Sequence, residues 1–104
     1  MKSTLYLNLR QEFFAQIAAR TKTIEYRAYT PYWRRWIENR EYDVIQFRSG
    51  YATRAPEMLV EFRGYRIQGP VKDPRFHGAR LGRYKEFAIR LGRILKIKRW
   101  RKNK

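Results

Sequence analysis

The sequence predicts an α+β fold: about five or six strands in one curled mixed or antiparallel sheet, closing as a small β-barrel, with two helices near the N-terminus. Three observations predict it. The apolar residues pass from strand-like to helix-like spacing and back twice before Gly50, and strand-like alternation dominates after it. A chain of 104 residues is near the commonest size of one domain, so two separate cores would each be too small. Hydrophobic residues make up 43% of the chain and aromatics 16%, enough to furnish a packed core.

Residues 4–9, TLYLNL, set Leu5, Leu7 and Leu9 against Thr4, Tyr6 and Asn8, the two-residue period of a half-buried strand. From Gln11 to Arg20, Phe13, Phe14, Ile17 and Ala18 fall at helical spacing and predict the first helix. Alternation returns from Thr23 to Arg27, with Ile24 and Tyr26 on one side and Thr23, Glu25 and Arg27 on the other. Thr30 before Pro31 is a helix start, because a hydroxyl caps and proline is tolerated in the first turn. Trp33, Trp36 and Ile37 then form the face expected to be buried, and Asn39 is a left-handed stop.

YDVIQF is a third strand, ended by a turn at Ser49-Gly50. Met58, Val60 and Phe62 alternate in a fourth, which Gly64 bends and Gly69-Pro70 ends. Residues 71–83 show no period and read as a long basic loop containing His77. Phe87, Ile89 and Leu91 begin a fifth strand, broken or bulged at Gly92 and resumed by Leu95 and Ile97. One domain over residues 1–97 and a basic tail over 98–104 are expected.

The chain holds 25 Lys and Arg against nine Asp and Glu, a formal charge of +16 that points to a polyanionic partner. There is no Cys and a single His, so disulfides and thiolate metal sites are excluded, and neither metal nor cofactor is expected. The N-terminal MKSTLYLNLR lacks the apolar core of a leader, and no stretch has the length of apolar residues a membrane span needs. A cytoplasmic location and no membrane partner are therefore expected.

Between the first helix and the second strand stands RTKTIEYR, residues 20–27, and a later strand ends in FRSGY, residues 47–51. The segment resembles the signature of the ASCH domain, a PUA-like β-barrel family: Lys, two residues, Glu, one residue, Arg, just after the first helix. Lys22, Glu25 and Arg27 match that spacing, and Arg20 stands where the family usually has glycine. The resemblance implies a cavity lined by these residues that receives RNA or a modified nucleoside. Some small members hydrolyse acetylated cytidine and one has been described as a ribonuclease. In the amidohydrolases a Thr two residues before the motif Arg is the proposed nucleophile, and here that position holds Glu25. Thr23 lies about 6–7 Å away along a strand, so hydrolysis of acetylated cytidine is not expected.

The residues also speak for themselves. A hydroxyl, a carboxylate and a guanidinium at Thr23, Glu25 and Arg27 would share one strand face, with Lys22 as a point charge for phosphate. Tyr29 and Tyr32, interleaved with Arg34 and Arg35, suit base stacking beside phosphate neutralisation; Arg48 and Ser49 end a strand, and the resemblance implies that they stand near the same site. After Glu86 no acid follows, and Lys98, Arg99, Arg101 and Lys102 with Trp100 read as a phosphate-hugging tail. The expected partner is RNA, DNA or a nucleotide-like ligand; the alternative is a small nucleoside or RNA hydrolase drawing on Lys22 and Glu25.

Overall fold

The computed structural model describes residues 3–71 and 84–100. Its elements are β1 (Thr4–Leu9), α1 (Gln11–Ala18), β2 (Ile24–Ala28), α2 (Pro31–Ile37), β3 (Val44–Ser49), β4 (Glu57–Val71) and β5 (Tyr84–Lys98). The expected order is there, with shifted ends: α1 stops before Arg20, and β4 runs through Gly69 and Pro70 to Val71. His77 and the expected basic loop lie outside the described residues.

The five strands form one sheet in the order β1-β3-β4-β5-β2, parallel between β1 and β3 and antiparallel elsewhere. β1 and β2 are its edges, and no backbone pairing joins them among the described residues. The sheet is mixed and open there, not closed into a barrel. Register shifts along the β4–β5 ladder, including those flanking Phe62, mark where these long strands bend. Gly64 sits in that stretch with φ 94°, which a side chain rarely adopts. At Gly92 an added Cβ would lie 2.6 Å from Arg63 Nε and 2.8 Å from Glu61 Cβ, so the bulge needs a residue without a side chain.

Alternation decides what is buried. Leu5, Leu7 and Leu9 turn inward beside Ile45, Phe47, Met58 and Val60, and α1 lays Phe14 and Ile17 over them. Thr30 caps α2 by accepting the Trp33 N–H at 3.3 Å, and Asn39 follows with φ 60°. Trp36 departs from expectation. Ile37 is fully buried, but Trp36 is 42% exposed, with the Arg40 guanidinium 5.6 Å from its ring centroid. A two-turn helix presents only a narrow inward face, and the neighbouring position falls outside it.

The first residues expected in the tail are bound to the fold. Lys98 is the last residue of β5, Arg99 turns the chain with φ 56°, and Trp100 packs on Phe14 with ring centroids 5.0 Å apart. A strand running to Lys98 delivers an aromatic onto α1, which charge counting along the sequence could not foresee. Arg101 and Lys102 lie outside the described residues. No described helix is long and apolar enough to cross a membrane.

Candidate functional site

The end of α1 places the first site residue. Arg20 adopts φ 63°, the conformation glycine takes most easily, while the Thr21 and Lys22 amides donate to the Gln16 carbonyl at 3.0 and 3.2 Å. This turn sets Lys22 three residues ahead of Glu25. The Lys22 ammonium lies 3.6 Å from Glu25 Oε1 and within 5.5 and 5.1 Å of the Phe13 and Tyr26 ring centroids.

Glu25 is buried at 5% exposure, and it is the buried charged residue of the described structure. Its other oxygen, Oε2, accepts from Arg27 Nε at 2.9 Å. Arg27 Nη2 donates to the Asn8 carbonyl at 2.8 Å, and the guanidinium carbon lies 4.8 Å from the Trp33 ring centroid. A carboxylate inside an apolar setting is tolerable only when charged partners satisfy it, which Lys22 and Arg27 do together.

Arg27 opens onto a cleft of about 710 Å³ walled by Arg10, Tyr32, Trp33 and Tyr51. Tyr32 meets Trp33 edge-on at 4.9 Å. Asn8 builds the far wall: its side-chain amide donates to the Gly50 carbonyl at 2.7 Å and its oxygen accepts the Gly50 N–H at 3.1 Å. That clamp holds the turn that presents Tyr51. Sequence reasoning passed over Asn8 and Arg10, since a polar residue on the outer side of a strand and a lone basic residue carry no local signal.

Thr23 does not join the cluster. It precedes β2 and is exposed, its carbonyl accepting the Leu91 N–H at 3.0 Å. Tyr29 and Arg34 belong to a separate group. The Tyr29 hydroxyl donates to Glu38 Oε2 at 2.6 Å, Arg34 Nε donates to Glu38 Oε1 at 2.8 Å, and the Arg34 guanidinium lies 4.8 Å from the Tyr29 ring centroid. Donating to the carboxylate raises the Tyr29 pKa, with burial adding to it. The same bond, with Arg34, holds the Glu38 carboxyl below its ordinary value.

Arg48 and Ser49 brace the loop after β3. Arg48 Nη2 donates to the carbonyls of Ala52 at 2.7 Å and Thr53 at 3.1 Å, and the Ser49 amide donates to the Pro56 carbonyl at 3.0 Å. Arg35 is exposed on α2. Lys98 is exposed at the end of β5, in a cross-strand row with Glu57, Arg48 and Asn8, and Arg99 donates to the Ala55 carbonyl at 3.0 Å beside Glu57 at 3.4 Å. Thus Lys22, Glu25 and Arg27 come together as expected, while Thr23 is exposed and Tyr29, Arg48 and Ser49 bond elsewhere. No family model, curated protein or solved structure matches the chain.

Proposed function

We propose that this chain is an ASCH-like module of PUA-like architecture that binds nucleic acid, RNA foremost, or a nucleotide-like ligand, in the cytoplasm. The observation that carries the reading is Arg27, held between the Glu25 carboxylate and the Trp33 ring where it meets a cleft of stacking aromatics. A guanidinium fixed in this way offers its remaining donors to a phosphate or a base edge, and the ring faces around it offer stacking. The +16 charge would gather the polyanion and the cleft would select among ligands. In this reading the open sheet, spanned at its edges by Arg27, corresponds to the family's barrel.

A panel of nucleosides, nucleotides and short oligomers tests it. Arg27→Lys keeps the total charge and Glu25→Gln changes it by a single unit, yet each alters the hydrogen-bonding pattern. Both variants are expected to lose selectivity while the salt dependence stays nearly intact. Unchanged discrimination in both would overturn the pocket.

The hydrolase alternative asks Lys22 or Glu25 to move a proton. Each Glu25 oxygen already faces a cation, an arrangement suited to positioning Arg27. Metal-free protein incubated with acetylated cytidine and with unstructured RNA, beside a Lys22→Ala control, is expected to show no turnover of acetylated cytidine. Turnover lost in the control would establish an enzyme instead.

A further inference from the structure

We infer that the outer face of the sheet is a second contact for single-stranded nucleic acid, a stacking platform on which bases lie over Tyr6 and Tyr51 while Lys96 and Lys98 meet the phosphates. The inference rests on the nucleic-acid reading above but concerns a surface that does not contain Lys22, Glu25 or Arg27.

The sheet register builds the platform. Tyr6 pairs with Gln46, Gln46 with Leu59, and Leu59 with Lys96, so an aromatic on the β1 edge and a cation on β5 stand in one cross-strand row. Asn8, Arg48, Glu57 and Lys98 form the next row by the same pairings. Three strand spacings put the two ends about 14 Å apart. The inward neighbours Leu5 and Leu7 are buried, so Tyr6 is on the outer face, where it is 72% exposed. Tyr51, from the clamped turn after β3, is 87% exposed beside it. Between the rows lies a cleft of about 700 Å³ that both tyrosines and both lysines line.

Charge decides the occupant. The single carboxylate in these rows, Glu57, is engaged by Arg48 and Arg99, each 3.4 Å away, so it does little to offset the exposed Lys96 and Lys98. Exposed rings next to cations suit a strand whose bases are unpaired, because every base has a stacking face and every linkage a negative charge. Tyr6 and Tyr51 also border the cleft of Arg27, so one strand can run from the platform over their rim into that cleft.

The test is a titration of the full chain with a ten-nucleotide oligouridylate and with an abasic strand of equal length. Tyr6→Ala with Tyr51→Ala is expected to weaken oligouridylate binding by about tenfold or more and to leave abasic binding nearly unchanged, since each stacked base contributes on the order of 1–3 kcal/mol. The Phe pair at the same positions should restore parental affinity. Lys96→Gln with Lys98→Gln, which touches neither tyrosine, should flatten the salt slope by about 1.4, two phosphate contacts on a single strand.

If the Ala pair and the Gln pair both bind as the parent does while Arg27→Lys still loses selectivity, the platform is wrong and the pocket stands. If the parent binds no oligonucleotide at low salt, both fall. Equal losses on abasic and base-bearing strands would overturn stacking, and a polyglutamate peptide bound as tightly as oligouridylate would make the face an acidic-protein site.

Discussion

Arg27 Nη2 reaches across the open side of the sheet to the Asn8 carbonyl at 2.8 Å, linking the edge strand β2 to the edge strand β1. The same side chain pairs with the buried Glu25. Arg27→Ala therefore removes a link between edges and strands a carboxylate in an apolar setting with Lys22 alone. A loss of about 2–3 kcal/mol is expected in urea unfolding. Arg27→Lys keeps a charge beside Glu25 but cannot span both acceptors, and roughly half that loss is expected. An Ala variant as stable as the parent would show that the link carries no load.

Arg20 holds φ 63° at the end of α1, where the chain has no glycine to relieve it. Arg20→Gly should raise stability by about 0.5–1 kcal/mol, and the thermal midpoint by about 4 °C, because a Cβ in that conformation is strained. Asn39, at φ 60°, is the contrast: asparagine tolerates this backbone, so Asn39→Gly should change the midpoint much less.

Two truncations separate phosphate contact from folding. Removing residues 101–104 deletes Arg101, Lys102 and Lys104, and should flatten the salt slope for single-stranded RNA while the thermal midpoint holds. Removing residues from Lys98 onward also takes Arg99 from the Ala55 carbonyl and Trp100 from Phe14. That shorter chain is expected to unfold at a lower temperature. Equal midpoints would mean that Trp100 adds nothing to the core.

The Tyr29–Glu38 bond predicts a pH window. Tyr29 is raised above its ordinary 10.0, so the stability it contributes is present below that value and lost as pH rises through the raised one. Glu38 is lowered below its ordinary 4.5, so its contribution is present above that value and lost as pH falls through the lowered one. Glu38→Gln removes the charged acceptor, and Tyr29 should then ionise at lower pH. A spectrophotometric titration of tyrosinate, with Tyr29→Phe to mark the signal, reads the shift directly; an unmoved transition would contradict the bond.

Local rules made much of the chain legible. Alternation in TLYLNL, the Thr30-Pro31 helix start, the Asn39 stop and the bend at Gly64 all depend on a few neighbouring residues, and each is where the sequence puts it, while the strand expected over Thr23–Arg27 is found at Ile24–Ala28. The pairing of Glu25 with Arg27 belongs to the same kind, since two residues apart on a strand share a face. Thr23 stands exposed just ahead of β2, apart from the Glu25–Arg27 pair, and Trp36 is half exposed because a short helix buries so little of its surface. What no local rule could supply is which distant residues complete the site. Asn8 meets Arg27 and Gly50, and Trp100 meets Phe14, because the strand order brings β1 beside β3 and carries β5 past α1. Periodicity determines which face of a segment is buried; only the closing of long chain loops around a common core decides which segments become neighbours.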